Sequence, residues 1–142
     1  MGGGRRLLKN PIVRGLKRVN WRRLGVRWAV LFGGLAGRGS GSDVDLLVLS
    51  QRGLGGLLYV ILEVSEALRI DPGLVDVVDA STAPCVILRD AWLNGVVVYE
   101  ARRGEAREWL LPKVEICLDY EISRRKLGVV EEAVKAAKRR WG

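Results

Sequence analysis

The first acidic residues of the chain are Asp43 and Asp45, in the stretch SDVDLLV (42–48). The apolar residues around them describe a strand, where positions i and i+2 share a face, so the two carboxylates project side by side. Adjacent carboxylates repel each other unless a cation lies between them, and Mg2+ takes hard oxygen ligands of this type. Just upstream, VRWAVLF (26–32) runs into Gly33-Gly34 and a glycine-rich loop, LAGRGSGS (35–42). A strand that enters Gly-Gly and then a helical turn lets backbone N–H groups approach phosphate oxygens with no Cβ in the way. Together the two features describe a phosphate cradle beside a divalent-cation site. Taken apart, each has a plainer reading: a flexible surface loop, and a strand entrance with a solvated Asp43 and a capping or salt-bridged Asp45. Two better-known phosphate motifs do not fit. No Lys-Ser/Thr follows the glycines, which excludes a P-loop, and the second glycine of GxGxxG is missing after Gly33.

The elements that must position these residues follow from periodicity and turn chemistry. Asn10-Pro11 reads as an N-cap and first turn, with Ile12, Leu16 and Val19 on one helical face and Gly25 ending the helix. Val26–Phe32 and Val44–Leu49 are apolar strands, the second buried on both faces except at Asp45. A helical face of Leu54, Leu57, Leu58, Ile61, Leu62, Ser65 and Leu68 follows, then the turn DPG (71–73) and a strand, LVDVVD (74–79). Ala83–Leu93 reads as a helix stopped by Asn94-Gly95, and VVVYE (96–100) as a fourth strand. Beyond it the chain is helical, with Pro112 starting or kinking a helix and Val130, Val134, Ala137 and Trp141 forming a last stripe. The expected fold is α/β (α+β): a small mixed sheet of about four strands with helices packed on it, and a helical C-terminal extension. The core spans about residues 11–100 and the helical region about 104–141, all within one domain covering residues 1–142.

With 142 residues and 49% hydrophobic content, the chain supports one real core and not two. No apolar run approaches the roughly 18–20 residues of a membrane span, and the start lacks the apolar segment of a signal peptide. A cytoplasmic location without membrane contact is expected. Cys85 and Cys117 lack metal-type spacing and are expected to pack in the core rather than pair. Five tryptophans, Trp21, Trp28, Trp92, Trp109 and Trp141, read as core and helix packing, with partner anchoring as the alternative for Trp141. RRGEAREW (102–109) reads as a solvated helix start. The net charge of +8 is uneven: ten basic residues and no acid precede Asp43, and seven more crowd residues 124–140. Such a field attracts nucleotides, RNA or an acidic partner, or simply keeps the surface solvated.

The combination of apolar strand, Gly33-Gly34, an eight-residue gap and Asp43-x-Asp45 in a second apolar strand resembles the nucleotidyltransferase superfamily that includes DNA polymerase β and kanamycin nucleotidyltransferase. That resemblance implies a third carboxylate on a neighbouring strand. Asp76, flanked by valines, stands where it belongs, with Asp79 as the fallback. Across residues 26–122 the small size and the order of elements look like the minimal nucleotidyltransferases, or MNT proteins. The resemblance implies transfer of AMP from ATP, or of another nucleoside monophosphate from its triphosphate, to a hydroxyl, with pyrophosphate leaving. It further implies that Asp43 and Asp45 hold two Mg2+ ions, and that Asp76 binds the ion facing the acceptor and takes or orients its proton. Gly33 and Gly34 would hold phosphates through their N–H groups, Arg38 would reach the leaving group, and Ser42 completes the nucleotide-binding set. The implied partner is a HEPN-domain toxin, modified and neutralised by this chain as its antitoxin.

Two departures from the MNT pattern define a rival expectation. The family often reads Gly-Ser-x-Ala-Arg-Gly, whereas here Gly34 replaces the serine and the later residues are stretched to Ala36-Gly37-Arg38-Gly39 before a short gap. On that ground the rival is a nucleotidyltransferase-fold module, impaired in catalysis, that neutralises its partner by steric cover. A nucleic-acid binder using the basic N-terminal arm ranks last, because no aromatic-basic alternation marks a base-stacking surface.

Overall fold

The computed structural model describes residues 10–34, 43–122 and 128–141. Strands β1 (Val26–Phe32), β2 (Val44–Ser50), β3 (Val75–Asp79) and β4 (Val96–Glu100) form one mixed sheet in the order β3-β2-β1-β4. β1 is antiparallel to both β2 and β4, whereas β2 and β3 are parallel. A parallel pair requires a crossover, which is supplied by helix α2 (Gly53–Leu68). Because β1 and β2 are central, they are covered on both faces and read as nearly unbroken apolar runs.

Alternation along the strands sorts the core into two layers. Ala29, Leu31, Val44, Leu46, Val48, Val75 and Val98 pack against α1 (Pro11–Lys17) and α2. Trp28, Val30, Phe32 and Leu47 pack on the opposite face, under α3 (Cys85–Asn94), α4 (Glu105–Ile122) and α5 (Gly128–Trp141). The second layer is the one that covers Asp45, as described below.

Asn10 caps α1 as expected, its side chain accepting from the Ile12 N–H at 2.7 Å, but the helix stops at Lys17 instead of reaching Gly25. Trp21 explains the early stop. Its indole is fully buried and donates to the Leu16 carbonyl at 2.8 Å, which draws the chain back over the helix end before Gly25, at φ +75°, leads into β1. In α2 the buried face is Gly56, Leu57, Val60, Val64 and Ser65, while Leu54, Leu58 and Leu62 of the expected stripe are exposed beside Tyr59. Gly56 fixes that rotation: a Cβ there would press on Arg52 Cβ and Ser50 Oγ, so this side of the helix lies close to its own approach segment. Pro112 lies inside α4 and does not begin it.

The second layer is tied together at three points. Cys85, the first residue of α3, is disulfide-bonded to Cys117 of α4 with a Cα–Cα distance of 5.6 Å. The expectation of two unpaired core cysteines is therefore corrected; over a sequence separation of 32 the chain returns to its starting point, which spacing alone does not reveal. At the other end of α3, Arg140 of α5 donates to the carbonyls of Gly95 and Trp92, both at 2.7 Å. Trp141 stacks on Trp92 at 4.6 Å and donates to the same Trp92 carbonyl, a packing role for this residue. Finally, Glu105 at the start of α4 takes a bidentate pair from Arg27 of β1 at 2.7 and 2.5 Å. The stretch 102–109 is therefore anchored to the sheet and not merely solvated. Among the described residues no helix is long and apolar enough to cross a membrane.

Candidate active site

Asp45 is built into the centre of the sheet. It is paired with Phe32 of β1 on one side and with Asp76 of β3 on the other. Directly opposed residues of neighbouring strands point to the same face. Leu47 and Val78, each two residues further on, both belong to the layer under α3 and α4, so Asp45 and Asp76 face that layer together. Asp79 lies an odd number of residues from Asp76 and leaves this face. Its carboxylate caps the short 3-10 turn Ala80–Thr82, accepting from the N–H and hydroxyl of Ser81 at 3.0 and 2.8 Å. Asp43 is exposed at the entrance to β2.

The electrostatics agree with that convergence. The Asp45 carboxyl is pushed above the usual carboxylate range, first by burial and then by the negative charges of Asp76, Asp43 and Asp90. Every neighbour that acts on its proton acts in the same direction, which is the field of a site that favours a cation. Among the described residues no three His, Cys, Asp or Glu side chains stand close enough to hold a metal ion by themselves. The donor chemistry nevertheless fits Mg2+, which usually takes only one or two carboxylates and completes its octahedron with water and phosphate oxygens.

Gly33 follows Phe32 at the end of β1 and has φ +76°. A Cβ at this position would collide with the Asp45 carboxylate, so glycine is required both by backbone conformation and by the side chain beside it. The Gly33 N–H, expected to face a phosphate, instead donates to Asp90 Oδ2 of α3 at 3.2 Å. Asp90 Oδ1 accepts from Asn94, one turn later, at 2.8 Å. Gly34 is half-buried in the helical turn that starts here. Arg38 and Ser42 lie outside the described residues. An open cavity of about 360 Å³ runs along α3 beside this point, lined by Val86, Ile87, Arg89, Asp90, Leu93 and Asn94. Asp90 and Asn94 carry no sequence signal beyond their i, i+4 spacing, and Asp90 is 57 residues from the glycine it holds.

No protein-family model matches the chain, and no curated protein does. Solved structures do match it in fold. One is a toxin–antitoxin complex with AMP-PNP, at a TM-score of 0.61 and 17% identity, covering 82% of this chain and 93% of that one. Another is an MNT antitoxin in complex with the tri-AMPylated HEPN toxin of Shewanella oneidensis, at a TM-score of 0.57 and 17% identity over 79% and 92% of the two chains. A third is the toxin–antitoxin MntA–HepT, at a TM-score of 0.52 and 17% identity over 86% and 90%. The class is set by these likenesses and the mixed sheet: a nucleotidyltransferase-type α+β fold. Within that class, the chain has the fold of the MNT antitoxins.

Proposed function

We propose that this chain is a Mg2+-dependent nucleotidyltransferase that moves AMP from ATP onto a hydroxyl of a HEPN-domain toxin and thereby acts as its antitoxin. The observation that carries this reading is the pairing of Asp45 with Asp76 across β2 and β3, on the face where Gly33 ends β1. The likeness in fold to a toxin–antitoxin complex with AMP-PNP and to one with a tri-AMPylated toxin supports it. Asp43, Asp45 and Asp76 would hold the two Mg2+ ions, and Gly34, Arg38 and Ser42 would bind the nucleotide with Gly33 shaping the loop. Bound there, the ions would neutralise triphosphate charge and polarise the α-phosphoryl group. Asp76 would accept or orient the proton of the attacking hydroxyl as its oxygen bonds to the α-phosphorus and the bond to the departing pyrophosphate breaks. No histidine is present to share this work. Positioning and charge neutralisation carry most of a phosphoryl transfer, so carboxylates suffice. The whole chain would act as one minimal domain in the cytoplasm, where ATP is supplied; a structural disulfide in that compartment is characteristic of hyperthermophiles.

A second reading has its own observation. The Gly33 N–H is already donated to Asp90, which removes one phosphate donor and favours a module that covers its toxin without transferring AMP. Intact-mass measurement of a HEPN-domain protein incubated with this chain, ATP and Mg2+ separates the two. AMP attachment that requires Mg2+ and disappears in Asp45→Asn supports the transferase. Complex formation and toxin suppression without attachment, equal in Asp45→Asn, supports the binding module.

A further inference from the structure

We propose that Asp90 is a positioning residue for the nucleotide loop: its carboxylate holds the Gly33 N–H and so fixes where the loop leaves β1 relative to Asp45 and Asp76. This rests on the transferase reading, but the geometry comes from a different element of the fold. Gly33 is the hinge of the arrangement. It adopts φ +76° against the Asp45 carboxylate, with no room for a Cβ, and the hydrogen bond from its N–H to Asp90 Oδ2 at 3.2 Å reaches across to another layer. Asp90 is itself held, because Asn94 Nδ2 donates to its other oxygen at 2.8 Å.

The helix that presents Asp90 is anchored at both ends. Cys85 binds its first turn covalently to α4, and Arg140 and Trp141 of α5 hold the carbonyls of Trp92 and Gly95 at its last turn. Gly95 itself admits no Cβ, since one would strike the Ala91 carbonyl and Val30 of β1. A surface acid has no need of such support. A group that sets a loop against a reacting centre does, because small misplacements of a phosphoryl group cost large factors in rate. Each Asp90 oxygen is engaged by a protein donor, Gly33 N–H on one and Asn94 Nδ2 on the other, which ties the carboxylate to the end of β1.

Three variants in the full chain test this: Asp90→Ala, Asp90→Asn and Asn94→Ala. Asp90→Asn keeps an acceptor oxygen for Gly33, whereas Asp90→Ala removes it. In AMP transfer, Asp90→Ala is expected to lower kcat about tenfold to a hundredfold with the ATP KM held within about threefold. Asp90→Asn restores most of kcat, and Asn94→Ala falls between. Equal losses in Asp90→Ala and Asp90→Asn, or wild-type kcat in Asp90→Ala, would overturn the proposal. The Gly33 amide resonance in 15N-labelled protein gives a second readout independent of turnover. It should shift and lose exchange protection in Asp90→Ala and keep both in Asp90→Asn; an unmoved Gly33 resonance in Asp90→Ala overturns the proposal even if wild type transfers no AMP. Absence of transfer in wild type, with the expected Gly33 response, would instead count against the transferase reading alone.

Discussion

Gly33 and Asp45 share one space: the Cβ that any other residue would place at 33 falls on the Asp45 carboxylate. The loop glycine and the candidate metal ligand are thus a single packing unit, joined through adjacent antiparallel strands by the Phe32–Asp45 pair.

Gly33→Ala should therefore do two things. It should destabilise the fold by about 1–3 kcal/mol, from a strained positive φ and a displaced carboxylate, and it should weaken Mg2+-ATP binding. Gly53 is the control. Its φ is also positive, +66°, but nothing lies within 4 Å of its would-be Cβ, so Gly53→Ala should cost about 1 kcal/mol and leave nucleotide binding unchanged. Urea denaturation and calorimetric titration of both variants check the contrast.

Asp76 and Asp79 should separate just as cleanly. Asp76→Asn, beside Asp45, is expected to lower AMP transfer about a hundredfold or more, with little effect on melting. Asp79→Asn should leave transfer intact, since its carboxylate only caps the Ser81 turn. Side-by-side transfer rates and melting curves decide.

Much of this was legible in the chain, for physical reasons. β1 and β4 were found at their observed bounds, because each is a nearly unbroken apolar run ended by glycine or charge, β1 in the interior of the sheet and β4 at its edge. The Asp43–Asp45 pair and Asp76 stood out because an acid inside an apolar strand is rare. The face of α2 was legible in part: Leu57, Ile61, Ser65 and Leu68 of the expected stripe pack on the core, whereas Leu54, Leu58 and Leu62 are exposed because the helix is rotated to bury Gly56, Val60 and Val64 instead. Asp90 and the Cys85–Cys117 bond were not legible. Both depend on how α3 lies across the sheet, and an ordinary acid or cysteine on an amphipathic helix carries no mark of its partner in space.

Asp45 predicts a pH dependence. Its carboxyl is raised by burial and by Asp76, Asp43 and Asp90. The folded protein therefore binds that proton more tightly than the unfolded chain does. This contribution to stability is present at low pH and is lost as pH rises through the raised value. Asp45→Asn should melt slightly above wild type at neutral pH, by a few degrees at most for a group only partly buried, and the gap should close as pH falls. Mg2+ should raise the melting point of wild type and not of the variant.

Reducing the Cys85–Cys117 bond, or replacing both cysteines by serine, should cost about 3–4 kcal/mol for a loop of this length. Denaturant midpoints with and without reductant measure it. If α3 is held as described, the Asp90–Gly33 hydrogen bond should weaken with it, read as faster exchange of the Gly33 amide.

Trp141→Ala removes the stacking on Trp92 and a donor to its carbonyl, and should cost about 2–4 kcal/mol. Circular dichroism melts of this variant, compared with Lys135→Ala on the exposed side of the same helix, check that the loss is specific to the clamp.

The most direct test of the site is calorimetric titration of the chain with ATP, with and without Mg2+, in wild type and Asp45→Asn. Saturable binding that needs Mg2+ and is lost in Asp45→Asn is the predicted result. ATP affinity indifferent to Mg2+, or unchanged by Asp45→Asn, would contradict it.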